Sequence, residues 1–502
     1  MPQTPAGSFD RSETPLGRAL QGTGLAATCL FALAASWSIA AAQSAIVLGA
    51  VVVVTGVLLR AVRYPRLPLT IWAILAFLAV QAVSIPLGIH PMRSLRFFPH
   101  YSWVLLFPLV FWGLLAEPTA RRWGVRILVI GAALAGFYGV AQHYTAAVWF
   151  IKTPEALPAG GYIAVGTLGH HLTYSGVLLP IFFLSLGMIL DQRPRWLWAL
   201  ASAGILLGLI FSAARSAWIG LAAGILLFGF LRGRRWFVGT ALTGALVLAA
   251  ILVLSPSMRA RAVTLADVGD DPRLRLWQTA LRIGADYPVI GAGIGSFGSL
   301  FPTYKVPGWY LAHGHPHSDP LNILVETGAI GVAAWFGIWT LFFLQTRGRR
   351  DSGLPRSPQA ASPQELLEPD VGPVRDTDSS RQGRIDGLRA AMFALLVAGF
   401  GQCFSSDEEV AQAWWFCATA GLVYALEPGR DRKLSGSRLR PDPRLRSDAQ
   451  LRPDPRLRSD AQLRSDAQLR PDARLRPNLR QRPDARPRPD ERPQSGERGG
   501  MG

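Results

Sequence analysis

Charge is scarce in this chain of 502 residues: 17% are Asp, Glu, Lys or Arg, against about 25% in soluble domains. Cysteine is scarcer still. Cys29, Cys403 and Cys417 all fall inside apolar runs, which leaves no readable disulfide framework and argues against thiol chemistry. In place of charge the chain carries 50% hydrophobic residues, with 16 Trp and 24 Phe. Mean hydropathy is +0.25, although the C-terminal segment is almost wholly polar. Composition therefore excludes a soluble enzyme, a secreted disulfide scaffold and a fibrous protein. It implies an all-α polytopic membrane protein.

The net charge of +18 might suggest nucleic acid, but its distribution excludes that partner. From residue 431 onward, 19 Lys/Arg and 11 Asp/Glu supply +8. The rest lies mostly in short loops between apolar runs, which is a topology signal.

A spanning helix needs roughly 17–25 mainly apolar residues. About twelve runs qualify: 24–41, 44–60, 68–88, 99–116, 125–143, 172–190, 196–213, 215–231, 236–254, 320–345, 387–405 and 409–426. The first is not a signal peptide, because a second apolar run follows at once and no clear cleavage site ends the first. With the N-terminus inside, the inner loops hold Arg60, Arg63, Arg66, Arg121, Arg122, Arg126, Arg193, Arg195, Arg232, Arg234 and Arg235. The outer loops hold only Arg93, Arg96, Lys152 and Arg215. That bias places both termini in the cytoplasm.

The expected organisation follows. Residues 1–23 are a cytoplasmic N-terminus, 24–254 carry spans one to nine, and 255–319 form a large helical outer loop. Span ten occupies 320–345, a flexible cytoplasmic linker 346–386, and spans eleven and twelve 387–426. The tail, 427–502, contains nine hexads from Arg440 to Pro493, each opening on Arg and most following with Pro-Asp or Ser-Asp. Each hexad offers at most one Leu to a core, and Pro recurs where a β-solenoid would need ladder N–H groups. The tail is expected to be disordered, with weak attraction to anionic lipid as its functional option.

Ionisable residues at membrane depth are functional candidates because burying their charge is costly. Arg215 stands between two apolar runs at the outer boundary. It can snorkel to lipid phosphates, or face a cavity and bind phosphate oxygens in bidentate fashion. His313, His315 and His317 alternate just before span ten, and three readings stand on spacing alone: a zinc site, a general base, or a polar loop without a role. Between them, Leu274, Trp277 and Leu281 make one apolar face of a helix, and Arg275 and Arg282 share another. That helix is expected to lie at the interface. The Gly291-x-Gly293-x-Gly295 run is not a dinucleotide fingerprint, since no βαβ unit surrounds it; it reads as a tight, flexible turn. Glu326, one turn into span ten, needs a partner or water, and a structural hydrogen bond is favoured over catalysis.

These residues, in this order, resemble the O-antigen ligase/O-antigen polymerase superfamily of bacterial membrane glycan enzymes. Gly166 to Gly176 (Gly-Thr-Leu-Gly-His-His-Leu-Thr-Tyr-Ser-Gly) is similar to the motif that opens the family's conserved half. Arg215-Ser-Ala-Trp-Ile-Gly220 resembles its Arg motif. Arg273 to Trp277, followed by Pro288 to Phe297, is similar to its Arg-x3-Trp and Pro-x2-Gly-x-Gly-x-Gly-x-Phe stretch. His317-Ser318, nine residues, then Gly328 and Gly331 fit the ligase motif His-[Asn/Ser/Gln]-x9-Gly-x2-Gly. The motifs cover roughly residues 160–335, and the hexad tail has no counterpart.

The resemblance implies glycosyl transfer at the periplasmic face of the bacterial inner membrane, without nucleotide, metal or other cofactor. The donor would be a glycan on undecaprenyl pyrophosphate and the acceptor a sugar hydroxyl of lipid A–core. Carried over by position, His317 would be the general base and Arg215 would bind the pyrophosphate. Arg273 and Arg282 would assist, with His315, Ser318 and Glu326 in support. A polymerase of the same superfamily uses the same donor chemistry, and a ligase that attaches glycan to protein is a further variant. Transport is the reading from another class. Against it, the first six spans show no obvious repeat in the second six.

Overall fold

The computed structural model describes residues 14–427, apart from 63, 149–153, 264–271, 309–313 and 348–377. The N-terminal thirteen residues, His313, most of the linker and the hexad tail lie outside the described residues.

Regular structure among the described residues is helical, and the one β contact among them is an isolated bridge between Ala156 and Tyr162. In chain order the helices are α1 (Pro15–Ala34), α2 (Ile39–Leu58), α3 (Leu69–Leu87), α4 (Pro91–Ser102), a 3-10 turn (Trp103–Leu106) and α5 (Phe107–Leu115). There follow α6 (Pro118–Thr145), α7 (His171–Asp191), α8 (Arg195–Phe211), α9 (Arg215–Arg232) and α10 (Arg234–Leu254). The outer loop contains α11 (Pro256–Val263), α12 (Pro272–Asp286) and α13 (Phe297–Tyr304), and the last three helices are α14 (Asp319–Gln345), α15 (Asp378–Gly399) and α16 (Glu408–Leu426). Among the described residues, seven segments are long and apolar enough to cross a membrane: α2, α3, the continuous run Pro91–Leu115, α6, α7, α9 and α14; α8 is apolar but shorter. The helices α1, α10, α15 and α16 overlap the remaining apolar runs.

Several boundaries differ from the hydropathy reading: α1, α4 and α6 start at Pro15, Pro91 and Pro118 rather than at 24, 99 and 125, and α1 and α15 differ further. The first helix ends at Ala34 rather than near 41, because Ser38 caps α2 by accepting the Ala41 N–H at 3.3 Å and the Trp37 indole donates to the Gly131 carbonyl at 2.9 Å. A short serine turn inside an alanine-rich stretch barely changes average hydropathy. The eleventh run is displaced in the same way. α15 starts at Asp378, inside the expected linker, and stops at Gly399, so residues 400–405 are loop and not span.

The early, polar turns of α15 are held by charge. Arg384 donates to Asp191 from its backbone N–H at 2.9 Å and from Nε at 3.1 Å, and Arg232 meets Asp386 at 3.3 Å. Nearby in the chain order of this end, Arg121 pairs with Glu427 at 2.6 Å and Thr70 with Gln345 at 2.7 Å. The opposite end gathers different segments: Ala164 N–H donates to the Phe211 carbonyl (2.9 Å), Ile89 N–H to the Ala292 carbonyl (3.0 Å), and Thr173 to Asp407 (2.6 Å). The arginines of the expected inner loops and the motif residues thus occupy different ends of the helices.

α7 is buried along most of its length and crosses α15 closely. A Cβ on Gly387 would lie 2.4 Å from the Phe183 carbonyl oxygen, so only glycine permits this approach, the usual device where helices pack in lipid. Indole stacking joins α14 to α16, with Trp339 centred 4.9 Å from Trp414 and 5.6 Å from Trp415.

Candidate functional site

The spacing between His317 and Gly328 is a length of helix with a defined stop. α14 is broken at Gly328, whose φ of 65° and ψ of −164° lie outside the helical region. The nine residues 319–327 therefore form a separate segment of about 13 Å that carries His317 and Ser318 at its start. The Gly291–Gly295 run docks into the break. Ala292 N–H donates to the Val325 carbonyl at 2.7 Å, Gly293 N–H to Glu326 at 3.1 Å, and Ala329 N–H to Pro288 at 2.8 Å. The Glu326 carboxylate accepts the Gly295 N–H at 3.0 Å. The run is thus a buried, hydrogen-bonded turn and not a flexible one.

The glycines are needed because two backbones touch here. A Cβ on Gly328 would sit 2.3 Å from the Val289 carbonyl oxygen, and one on Gly291 would sit 2.4 Å from the Thr327 nitrogen. Gly328→Ala combines that clash with a left-handed backbone, which alone costs about 1–3 kcal/mol. We expect a clear loss of thermal stability in detergent, followed by intrinsic fluorescence. Gly337→Ala, later on the same helix with nothing within 4 Å of its Cβ position, should leave the melting temperature unchanged. Equal melting of the two variants would contradict the docked turn.

α12 buries Leu276, Thr279, Ala280, Ile283 and Gly284, which pack with Phe297 and Val325. The stripe of Leu274, Trp277 and Leu281 is a different face: Leu281 is 54% exposed, and Leu274 and Trp277 are half-buried. The sequence contains two stripes at helical spacing, and the smaller residues face the protein because α14 lies close against them. The arginines divide accordingly. Arg273 reaches the loop after α15, where its Nη1 lies 4.0 Å from the position a Cβ on Gly401 would take. Arg282, nine residues on, is exposed and half a turn out of phase, so the structure does not bring it to Arg273. Arg275 lies against Gly308.

His317 has φ of 52°, a left-handed conformation that is uncommon outside glycine. Its Nδ1 lies 2.8 Å from Gln402 Oε1, its backbone N–H donates to His315 Nδ1 at 3.2 Å, and the two imidazoles are centred 4.4 Å apart. Ser318 is buried at the N-cap of α14, and its N–H donates to Cys403 Sγ at 3.2 Å. Burial pushes the Cys403 thiol well up from its usual range, so it stays protonated and serves as a soft acceptor. Asp319 accepts from the Ser405 N–H at 2.9 Å and hydroxyl at 2.6 Å.

Arg215 opens α9 and is half-buried. Before it, Ala213 also adopts a left-handed conformation (φ 53°) and its carbonyl accepts from Arg261 Nε at 3.2 Å. Ser216, the next residue, lies 3.4 Å from the Cβ position of Gly401. On the far side of this loop Asp407 caps α16, accepting from Val410 N–H at 3.2 Å and from Thr173 at 2.6 Å; burial raises its carboxyl above the usual range. Residues 400–407 therefore touch the N-terminal ends of α7, α9, α12, α14 and α16. Helix N-termini present unsatisfied N–H groups and a partial positive charge. Together with Arg215, Arg261 and Arg273 they make this end of the molecule suited to an anion.

Gln402 escaped the sequence reading because the eleventh apolar run appeared to extend across it to residue 405. Two signals were present: the Gly399-Phe-Gly401 interruption, and Asp407 placed to cap the next helix. The His cluster is described only in part, since His313 lies outside the described residues. Among those described, no group of three or more His, Cys, Asp or Glu side chains is placed to hold a metal ion.

Comparison with known proteins adds one finding. No curated protein matches this chain. Residues 200–336 match the family model described as O-antigen ligase, a segment that contains Arg215, Arg273, the glycine run, His317 and Gly328 but ends before Gln402. The matched segment, whose residues meet at one end of a bundle of membrane-length helices, is similar to an O-antigen ligase domain.

Proposed function

We propose that this protein is an O-antigen ligase, moving a glycan from undecaprenyl pyrophosphate to a sugar hydroxyl of lipid A–core at the periplasmic face of the inner membrane. In this reading twelve spans leave both termini in the cytoplasm. The observation that carries it is the arrangement around residues 400–407: an imidazole with a fixed partner on one side, and arginines at helix N-termini on the other.

His317 Nδ1 faces an amide oxygen, so Nδ1 carries the proton and donates it, which leaves the lone pair on Nε2. That nitrogen takes the proton of the acceptor hydroxyl as its oxygen attacks the anomeric carbon of the donor. The bond from that carbon to the pyrophosphate oxygen breaks, and the electron pair leaves with the lipid pyrophosphate. Negative charge grows on the leaving group, where Arg215 and Arg273 stabilise it in a site of low dielectric. Outside the inner membrane no ATP is at hand, and a preactivated donor supplies the energy.

A polymerase shares this chemistry, and the nine-residue spacing from His317-Ser318 to Gly328 favours ligase. The test uses purified protein in nanodiscs with undecaprenyl-pyrophosphate-linked glycan, with and without lipid A–core, and products resolved by gel. Product that requires lipid A–core supports the ligase. A ladder that grows without the acceptor would replace that reading with a polymerase.

A further inference from the structure

The loop between α15 and α16 supplies more to His317 than a place to rest. Resting on the ligase reading above, we propose that Gln402 is a positioning residue that holds His317 in the tautomer with its proton on Nδ1 and its lone pair on Nε2. The geometry is a single short contact, 2.8 Å from Nδ1 to Oε1, made by an amide that is itself buried. Its neighbours in the loop are pinned independently. Cys403 accepts the Ser318 N–H, Ser405 donates twice to Asp319, and Phe404 is fully buried. Gln402 is therefore presented from a fixed backbone, and the imidazole is held between it and His315.

A carboxylate is the common partner for a catalytic imidazole. Here a neutral amide suits the site better. Gly401, the adjacent residue, stands against Ser216 and within reach of Arg273, and an anion at 402 would compete with pyrophosphate for those arginines. It would also favour the imidazolium and remove the base at neutral pH. An amide oxygen fixes the tautomer without either effect. Among the described residues, the titratable groups near His317 include His315 beside it, Asp319 and Cys403 in the cap, and Glu326 and Tyr101, which both interact with Cys403. Arg215 and Arg273 lie across the loop, with His171 and Asp407 at the start of α7 and α16.

The test measures His317 in two ways in full-length protein in nanodiscs. Carbethoxylation by diethylpyrocarbonate reports the fraction of neutral imidazole, read on the His317 peptide by mass spectrometry across a pH series. It needs no substrate. Gln402→Glu, nearly isosteric, should move the midpoint upward by about one pH unit, and the acid limb of the transfer rate should move with it. Gln402→Leu should slow transfer about 10²-fold or more, as loss of a tautomer-fixing partner does elsewhere, with donor KM little changed. Gln402→Asn should recover part of the rate. The inference is overturned if Gln402→Glu leaves the carbethoxylation midpoint in place, or if Gln402→Leu transfers at the wild-type rate. A shifted midpoint in a protein that transfers no glycan would sustain the contact and refute the ligase reading instead.

Discussion

His317→Ala is expected to abolish glycan transfer while leaving expression, membrane insertion and thermal stability close to wild type. General-base assistance from a positioned histidine contributes roughly 10²- to 10⁴-fold, so residual product should fall below detection in a gel assay. The structural cost of the change is small. His317 is only half-buried, and its backbone N–H bond to His315 survives in alanine. The left-handed backbone at 317 costs alanine somewhat more than histidine, about 1 kcal/mol, which a bundle of this size tolerates. The measurement is transfer in nanodiscs beside a melting curve of the same preparation. Normal transfer by a well-folded His317→Ala would remove the general base from the mechanism. Lost transfer with lost folding would instead give His317 a structural role, and His317→Gln, which keeps a hydrogen-bonding side chain toward Gln402, separates those outcomes.

Much of this site can be read along the chain because it is built from helix starts. Arg215, Arg273 and His317 each stand where an apolar or amphipathic stretch begins, and hydropathy finds such boundaries well. The helices after them follow the predicted runs within a few residues: α7, α9 and α14 begin at His171, Arg215 and Asp319, against expected starts of 172, 215 and 320. What hydropathy could not show is where an apolar run stops being helix. Residues 400–405 (Phe-Gly-Gln-Cys-Phe-Ser) carry enough apolar side chains to prolong the preceding run, yet they fold as a loop because Asp407 caps α16 and Phe404 is drawn into the core. Gln402 was hidden for that reason. The buried face of α12 went unread for another reason. Leu274, Trp277 and Leu281 are the larger apolar residues, and in water they would turn inward. Beside a membrane a large apolar residue can face outward at little cost, so size no longer marks the buried side. The glycine run gave its sequence away but not its role, because a docking between two backbones depends on Gly328 some forty residues later.

Arg215 is expected to carry the second-largest effect. Arg215→Ala should lower kcat about 10²- to 10³-fold, the range seen when one preorganised donor to developing negative charge is removed. Lysine should restore little, since an ammonium cannot make the paired, planar contact of a guanidinium with phosphate oxygens. The alternative is that Arg215 only anchors the helix end to lipid headgroups, and two comparisons distinguish the roles. Arg282→Ala removes an arginine from the exposed side of α12, away from residues 400–407, and should change transfer by less than about twofold if charge alone near the surface has little worth. Binding of undecaprenyl pyrophosphate, measured apart from turnover, should weaken less in Arg215→Ala than kcat falls, because a group that meets charge formed during bond breaking contributes more to the transition state than to the bound donor. Weakened binding with an unchanged kcat would make Arg215 a binding group only. Equal behaviour of Arg215→Ala and Arg282→Ala would return Arg215 to the role of a membrane anchor. The position of Arg215 argues for the first result. A cation in the first turn of a helix opposes the helix dipole, as Arg215 does in α9 and Arg273 does in α12. Both lie beside one loop, and an anion held between them satisfies the guanidinium groups and the helix N-termini together.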